Sequence, residues 1–303
     1  MREFGARSET FRAAARLARR LPSRQPGATM KRADLFPYDT GFTPWMASRL
    51  DPRFALSLYV PQSLPRDRTA PLLVLVHGTT RRDNFRDAFR DFADRTGTVL
   101  LAPLFPVGAA VPGDVHGYKW IEAHGVRFDL LLLDMIDQAA GIWPLAADRF
   151  ALFGYSGGGQ FAHRFLYLHP HRLAVLSVGA PGNVTLPDPA RAWPAGVGGL
   201  EARFGIGFDN DAVPAVPVHL VAGEADTEIW EIAKEPGDPV YIPGVNDEST
   251  NRIERLKRLQ CDLDRSGAST EFELVDGVAH DGPAVVPAVT LWLERCAVFV
   301  RDQ

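Results

Sequence analysis

The sequence predicts an α/β fold with a mostly parallel, twisted sheet and helices on both of its faces. Strand and helix signals alternate from about Phe54 onward, which is typical of such a sheet. Residues 71–76 form a continuous apolar run, as in a parallel strand that is buried on both faces. The run 149–153 leads at once into a glycine-rich turn and then into a helical pattern. Because parallel sheets place their sites at the carboxyl ends of strands, we expect the functional residues in the turns that follow the strands.

The predicted elements follow one another at short intervals. Short apolar or β-branched runs predict strands, and apolar residues at helical spacing predict helices. In the first helix, Phe85, Phe89 and Phe92 repeat at that spacing. We expect strands at residues 55–60, 71–76, 98–102, 150–153, 173–178, 216–222 and 270–275, and helices at 84–95, 128–140, 160–169, 249–265 and 285–300.

The chain has 303 residues, and we interpret residues 36–303 as a single domain, because neither an internal repeat nor a shift in composition marks a second. Two connections are longer than ordinary turns. We expect them to be loop insertions near residues 105–120 and 181–214 that act as lids or binding loops. Residues 1–35 are interpreted as a basic N-terminal arm that is solvated or disordered. Up to residue 32, nine Arg or Lys stand against two Glu, and Met30 is an alternative start of the chain.

Composition and charge argue against several classes of protein. Hydrophobic residues make up 46% of the chain and charged residues 23%, and the net charge of −4 argues against a nucleic-acid partner. No apolar run approaches the roughly 18–20 residues of a membrane span. No apolar segment of a secretory signal follows the basic N-terminal residues. We therefore expect no transmembrane segment and a cytoplasmic location.

Cysteine usage argues against a disulfide framework and against a zinc site. The chain has two cysteines, Cys261 and Cys296, and neither lies in a CxxC pair. We interpret both as small buried hydrophobic residues. No metal ion and no cofactor is expected.

The segment Gly154-Tyr155-Ser156-Gly157-Gly158 matches the pattern G-x-S-x-G between a predicted strand and a predicted helix. A serine at the apex of such a sharp turn has a strained backbone and an exposed hydroxyl, and the glycines allow neighbouring backbone to come close. The next N–H lies at the start of a helix, where it can stabilise an anion. The pattern predicts that Ser156 is a nucleophile. A serine in an ordinary glycine-rich turn is the alternative, because the chain contains 27 Gly.

A serine nucleophile needs a base, most often a histidine, and the histidine needs a carboxylate that fixes its tautomer. His280 follows the predicted strand 270–275 and precedes the last helix. Asp226 lies in the turn after the predicted strand 216–222. The chain order Ser156, Asp226, His280 matches a known order of nucleophile, acid and base, so we predict that these three residues are catalytic.

Other acids and histidines remain as alternatives. Glu224 and Glu228 are alternatives to Asp226, and Asp276 and Asp281 flank His280. The other histidines are interpreted as structural or as residues that line the cleft. His116 and His124 flank the first long loop, His163, His169 and His171 lie on or after the helix that follows the serine, and His219 lies in a strand.

Two backbone N–H groups are predicted to form an oxyanion hole, which stabilises the alkoxide that develops during acyl transfer. One belongs to Gly157. The other belongs to Thr79, in the loop His77-Gly78-Thr79-Thr80 that follows the predicted strand 71–76. We interpret His77 as a residue that braces this loop.

These segments resemble the α/β-hydrolase superfamily and, more narrowly, the polyhydroxybutyrate depolymerase-like (LpqC-type) serine esterases. The resemblance covers roughly residues 56–300. It rests on Val76-His77-Gly78-Thr79-Thr80, Pro103 and the loop after it, Tyr118-Lys119-Trp120-Ile121, the segment 154–158, Gly223-Glu224-Ala225-Asp226-Thr227 and Asp276-Gly277-Val278-Ala279-His280.

The resemblance implies an α/β-hydrolase fold and a serine hydrolase that cleaves carboxylic esters through an acyl-enzyme. The substrate would be a small-molecule or oligomeric ester, of the polyhydroxyalkanoate type or another small ester. Trp120 would lie near the acyl cleft, and Trp120 and Tyr155 are predicted to contact the substrate. Secreted depolymerases of this type carry a cysteine where this chain has Thr79, so activity on a solid polymer is not implied.

Two other functions remain open from the sequence. A peptidase of the prolyl-oligopeptidase kind would use the same three residues, with a charged anchor for the peptide terminus. A catalytically silent relative would bind ligands in the same cleft. The sequence predicts no oligomeric state.

Overall fold

Nine strands of the described residues form one mixed sheet, and two short strands pair outside it. The computed structural model describes residues 39–299 except 66, 83–84, 239–240 and 246–248. The strands are β1 (Gly41–Phe42), β2 (Met46–Ala47), β3 (Ala55–Val60), β4 (Leu72–Val76), β5 (Val99–Leu104), β6 (Glu122–Ala123), β7 (Val126–Arg127), β8 (Phe150–Tyr155), β9 (Leu173–Gly179), β10 (Val218–Gly223) and β11 (Thr270–Val275).

Six neighbouring strands of the sheet run parallel, in the order β5, β4, β8, β9, β10, β11. At one edge, β3 pairs antiparallel with β5, and β1 and β2 pair antiparallel with β3. The prediction of a mostly parallel sheet is therefore confirmed. The carboxyl ends of β4, β8, β10 and β11 meet at one edge, and the turns after them contain Thr79, Ser156, Asp226 and His280.

Helices pack against this sheet. Helix α4 lies against β8 and β9, whereas α6 and α7 lie against β10 and β11. The helices are α1 (Phe85–Ala88), α2 (Arg90–Thr96), α3 (Phe128–Ala140), α4 (Gly157–Leu168), α5 (Leu200–Phe204), α6 (Arg252–Arg265) and α7 (Gly282–Arg295), with 3₁₀ turns at Gly117–Trp120, Pro170–Arg172 and Ala297–Phe299.

Helix boundaries differ from the prediction where polar caps decide them. Helix α7 begins at Gly282, before the predicted residue 285, because the Asp281 carboxylate accepts a hydrogen bond from the N–H of Ala284 at 3.2 Å. Helix α6 begins at Arg252, after the predicted residue 249, because the Asn251 side chain accepts from the N–H of Glu254 at 3.0 Å. The predicted helix 84–95 is interrupted at Phe89, which separates α1 from α2.

The core holds β8 in the middle of the sheet. Every residue of β4 and β8 is buried. The Phe153 ring of β8 contacts the rings of Phe85 and Phe89, with centroid distances of 5.1 and 5.2 Å. Full burial of one such side chain contributes about 1.5–3 kcal/mol, so these contacts fix β8 and the turn that follows it.

Some expectations fall outside the residues that the structure describes. The predicted basic arm, residues 1–35, lies there entirely. The interpretation of 36–303 as one domain stays a prediction. Within the described residues, none of the helices combines the length and the apolar character that a bilayer span requires.

Helix α4 begins very close to the end of β4, because Gly158 has no side chain. A Cβ atom at Gly158 would collide with the carbonyl oxygen of Val76 and would lie 2.8 Å from the carbonyl oxygen of His77. Glycine is therefore required for close packing at this point.

The variant Gly158→Ala should lower the free energy of unfolding by about 1–3 kcal/mol or more, because the added methyl group pushes α4 away from β4. Urea unfolding followed by circular dichroism measures this change. The matched control is Gly207→Ala, since Gly207 is exposed and a Cβ built there meets no atom within 4 Å. Equal unfolding midpoints for the two variants would contradict the prediction.

Candidate active site

Ser156 lies in the sharp turn between β8 and α4. Its φ of 55° and ψ of −113° place the backbone in a region that residues with a side chain rarely adopt. The Ser156 N–H donates to the carbonyl of Gly179 in the neighbouring strand β9 at 2.8 Å, which holds the turn in place. Backbone strain that is supported in this way is common at functional residues.

His280 and Asp226 lie beside Ser156 in one chain of hydrogen bonds. The Ser156 Oγ is 3.0 Å from His280 Nε2, and His280 Nδ1 is 2.6 Å from Oδ2 of Asp226. When Nδ1 donates to the carboxylate, Nε2 is left as the acceptor for the serine hydroxyl. The structure thus brings together the three residues that the sequence singled out, in the arrangement that an activated serine requires.

The alternative acids do not occupy this position. Asp281 instead caps α7, and among the described residues Asp226 is the carboxylate bonded to His280. The turns that hold Asp226 and His280 lie close together because Gly223 has no side chain, and a Cβ there would lie 2.4 Å from the carbonyl oxygen of Ala279 if that neighbour did not move. The N–H of Ala225 donates to the carbonyl of Val278 at 2.8 Å and fixes this approach.

Arg252, the first residue of α6, contacts Asp226 from the side away from His280. Its Nη1 is 3.1 Å from Oδ1 of Asp226, and its Nη2 is 2.8 Å from Oε2 of Glu231. The side chains of Arg252 and Asp226 are 3% and 0% exposed, whereas that of Glu231 is 48% exposed. Arg252 therefore gives the buried carboxylate a second partner and limits its orientation.

Two backbone N–H groups next to Ser156 are available to an oxyanion. Neither the N–H of Thr79 nor that of Gly157 has an acceptor within the part of the chain that the structure describes. The Gly157 N–H is at the first position of α4, where helix N–H groups lack partners within the helix. The Thr79 side-chain oxygen lies close to Gly157, since a Cβ built on that glycine would be 2.9 Å from it.

The loop that carries Thr79 is braced by buried side chains. His77 accepts from the N–H of Phe105 at Nε2 (3.0 Å) and bonds the carbonyl of Gly78 through Nδ1 (2.9 Å). Burial lowers the pKa of His77 to about 3, so the ring stays neutral. Arg81 bonds the carbonyl of Thr79, and its guanidinium lies 4.7 Å from the Tyr118 ring centre. His77 therefore braces the loop.

The other histidines are held by structural contacts. His163 bonds the carbonyl of Gly159 and accepts from the N–H of Thr185, and burial lowers its pKa. His219 lies 3.1 Å from the Ser177 hydroxyl and stacks on Trp292. Contacts to carboxylates hold the remaining ones outside the site, namely His124 to Asp114, His169 to Asp129 and His171 to Asp209.

A cavity of about 590 Å³ opens beside Ser156. This volume is in the range of small-molecule sites. The first predicted insertion contributes the wall between Val115 and Trp120, whereas the second contributes Gly182 and Asn183 alone. Most of the remaining wall comes from described residues between β10 and α6, within 230–234 and 241–245. Among the described residues, no group of three or more His, Cys, Asp or Glu is placed to hold a metal ion.

Lys119 is a buried cation that lines this cavity, as Arg252 also is. The residue is 5% exposed, and its Nζ is 2.7 Å from Nδ1 of His116. Burial, and next the positive charge of Arg81, lower the pKa of Lys119 to about 7. Burial also lowers the pKa of His116, so this imidazole accepts a hydrogen bond from the ammonium group.

The two residues that were predicted to contact the substrate, Trp120 and Tyr155, lie in different environments. Trp120 lines the cavity, and its ring packs under the guanidinium of Arg164 at 4.4 Å. Tyr155 does not line the cavity and is 2% exposed. Its ring lies against His280, with centroids 5.1 Å apart. Tyr155 is the last residue of the buried strand β8, and its ring is packed inside the protein beside Gly179 and Gly282.

Sequence reasoning missed Lys119, Arg252 and the wall within residues 230–234 and 241–245. The sequence did contain a signal for this wall, because the segment between β10 and α6 is long and has no helical or strand period. Lys119 lies in the segment Tyr118-Lys119-Trp120-Ile121, but nothing in the sequence indicated its burial, and Arg252 likewise resembles an exposed charge until the fold buries it.

Comparisons with known proteins agree on the fold. No protein-family model matches the chain, and no curated protein sequence matches it. Among solved structures, LpqC, a poly(3-hydroxybutyrate) depolymerase from Bordetella parapertussis, is similar with a TM-score of 0.64 and 24% identity over 80% of this chain and 85% of that one. This chain has the α/β-hydrolase fold.

Two further structures share the α/β-hydrolase fold with this chain. Poly(aspartic acid) hydrolase-1 from Sphingomonas sp. KT-1 has a TM-score of 0.68 and 19% identity, over 83% of this chain and 98% of that one. An S-formylglutathione hydrolase from Agrobacterium tumefaciens has a TM-score of 0.55 and 16% identity, over 82% and 90%.

Arg252→Met should strongly destabilise the protein at pH 8, by about 3 kcal/mol or more, because it leaves the buried Asp226 carboxylate without a cationic partner. Adding Asp226→Asn should restore part of the lost stability. Urea unfolding of both single variants and the double variant measures the coupling, which we expect to be about 0.5–3 kcal/mol. Strictly additive effects would show that the two side chains do not stabilise each other.

Proposed function

We propose that this protein is a serine hydrolase that cleaves carboxylic esters through an acyl-enzyme. The observation that carries the proposal is the hydrogen-bonded chain Ser156–His280–Asp226, with distances of 3.0 and 2.6 Å. It lies at the carboxyl ends of β8, β10 and β11 and opens on a cavity. This arrangement lets a neutral serine become a nucleophile near pH 7.

In the first half of the reaction, the Ser156 Oγ attacks the ester carbonyl carbon while His280 Nε2 takes the hydroxyl proton. The new C–O bond moves the carbonyl electron pair onto oxygen, where the N–H groups of Thr79 and Gly157 stabilise the negative charge. Asp226 accepts from Nδ1 throughout and stabilises the imidazolium that forms.

Collapse of this intermediate breaks the bond to the leaving oxygen, and His280 gives its proton to the departing alcohol. In the second half, water attacks the acyl-enzyme while His280 takes the water proton. The same N–H groups hold the second oxyanion, and return of the proton to Ser156 releases the carboxylic acid. No step of this scheme calls for a metal ion or a cofactor.

The substrate proposed is a small-molecule or oligomeric ester. The cavity of about 590 Å³ suits a small ligand or a chain end. Two of the similar structures are named for poly(3-hydroxybutyrate) and for S-formylglutathione, whose scissile bonds are an ester and a thioester. Trp120 lines this cavity and is proposed to contact the acyl part. A cytoplasmic site of action remains a prediction from the sequence.

Ser156→Ala should lower kcat for 4-nitrophenyl butyrate by roughly 10⁴-fold or more, because it removes the nucleophile. It should also abolish labelling by a fluorophosphonate probe, which reacts with activated serines. Retained turnover in the variant would contradict the assignment. An unlabelled but folded wild-type protein would instead support a silent relative that binds ligands.

The acid can be tested with a matched pair of variants. Asp226→Asn should lower kcat by about 10⁴-fold, because it disturbs the His280 tautomer. Asp281→Asn is the control, since asparagine also caps helices and Asp281 bonds the N–H of Ala284 instead of His280. Comparable losses in both variants would overturn the choice of Asp226.

The peptidase alternative has two observations in its favour. Lys119 is a buried cation that could anchor a peptide terminus, and one similar structure is named for the hydrolysis of poly(aspartic acid), whose backbone bonds are amides. One preparation assayed on 4-nitrophenyl butyrate and on the corresponding 4-nitroanilide separates the two activities. We expect the ester to be cleaved and the anilide to be left intact. A kcat/KM that favours the anilide or a peptide would replace the esterase proposal.

A further inference from the structure

Three cations lie near the Thr79 and Gly157 side of the site, namely the half-buried Arg81 and the buried Lys119 and Arg164. Arg81 bonds the carbonyls of Phe105 and Thr79, and Arg164 bonds uncharged oxygens, including Oδ1 of Asn183 at 2.6 Å. In the described part of the chain, none of the three cations forms an ion pair with a carboxylate within 4.0 Å. This side of the site therefore carries positive charge that no ion pair within 4.0 Å balances, and Glu231 and Asp114 act on it from farther away.

Of these cations, Lys119 is the one whose side chain lines the cavity beside Ser156. The imidazole of His116 is its one hydrogen-bond acceptor among the described residues, so its ammonium group has donors left for a ligand. The other cations of the wall are compensated. Arg252 pairs with two carboxylates, and the Lys234 ammonium is 3.8 Å from Asp238.

A buried ammonium without a counter-ion is unfavourable, because burial removes its hydration and its neighbours add like charge. The lowered pKa of Lys119, about 7, reflects this cost. An anion in the cavity would restore the missing counter-charge. The desolvated surroundings would make the resulting hydrogen bond stronger than one at the surface.

We propose that Lys119 binds a carboxylate on the acyl part of the substrate, so that the preferred esters are half-esters of dicarboxylic acids. A Cβ built on Gly157 would lie 2.9 Å from Cε of Lys119 and 2.9 Å from Oγ1 of Thr79. Lys119 thus lies beside the donors that receive the carbonyl oxygen. The acyl part of the ester adjoins that oxygen, so we expect it, and a carboxylate at its end, on the same side of the cavity as Lys119.

This inference rests on the proposed ester hydrolysis, and the two can fail separately. The neutral ester 4-nitrophenyl hexanoate reports on hydrolysis alone. The mono-4-nitrophenyl ester of adipic acid has the same number of acyl carbons as the hexanoate ester, but its chain ends in a carboxylate instead of a methyl group. The ratio of kcat/KM for the adipate ester to that for the hexanoate ester isolates recognition of the carboxylate.

For the wild-type protein, we expect this ratio to be above one. In Lys119→Met, which keeps the apolar stem and removes the charge, the ratio should fall roughly ten- to a hundredfold, as expected for the loss of a charge-assisted hydrogen bond. Lys234→Met is the matched control from the same wall, because the Lys234 ammonium faces Asp238. It should leave the ratio unchanged.

The ratio should also depend on pH. Lys119 is cationic below its pKa of about 7, so the ratio should be highest near pH 6 and fall as the pH rises to 8. The charges that face Lys119 are Arg81, Arg164, Arg252 and Glu231, with His116 as its hydrogen-bond partner. The substrate carboxylate is ionised over this range, and a pH effect on the hydrolytic steps that both esters share cancels in the ratio.

The outcomes separate the possibilities. A wild-type ratio at or below one would overturn the proposal. Equal loss of both activities in Lys119→Met would also overturn it, because Lys119 would then act on the reaction itself. A ratio that is independent of pH between 6 and 8 in the wild-type protein would also count against it. Absence of hexanoate hydrolysis by the wild-type protein would instead remove the proposed function.

Discussion

The close contact between the start of helix α4 and the end of β4 is the constraint on which the rest of the site depends. It exists because Gly158 presents no side chain to the carbonyls of Val76 and His77. It sets the N–H of Gly157 beside the loop that carries Thr79. The hydrogen bond from the Ser156 N–H to Gly179 holds the strained turn from the other side. The parallel order of β8, β10 and β11 then delivers the remaining partners to the same edge.

Those parts of the molecule that follow local rules could be predicted from the sequence. The strands and the residues in the turns after them depend on short apolar runs and on glycine, so Ser156, Asp226 and His280 were found in place. Lys119 and Arg252 could not be found in this way, because their chemistry comes from burial by segments that are distant in the chain. Tyr155 shows that a correctly recognised motif does not reveal what each of its side chains contacts. It belongs to the right motif, but the sequence does not say that its ring lies against His280.

Charge is distributed unevenly on the two sides of Ser156. On the side of the base, Asp226, Arg252 and Glu231 form a compensated network. On the side of the carbonyl oxygen, Arg81, Lys119 and Arg164 are held by uncharged partners in the described residues. In the proposed reaction, a positive potential on that side would favour the negative charge that develops on the substrate, and fixed charges in a desolvated site need little reorganisation to do so.

Arg252 also links the cavity wall to the Asp226 carboxylate that bonds His280. It holds Asp226 with one nitrogen and, with another, holds Glu231, which belongs to the segment that forms most of the cavity wall. A substitution in that segment that moves Glu231 would therefore also disturb Arg252 and, through it, the Asp226 carboxylate. For the proposed reaction, a substitution that alters specificity in this segment would therefore also alter turnover, unless a second substitution at α6 restores the contacts of Arg252.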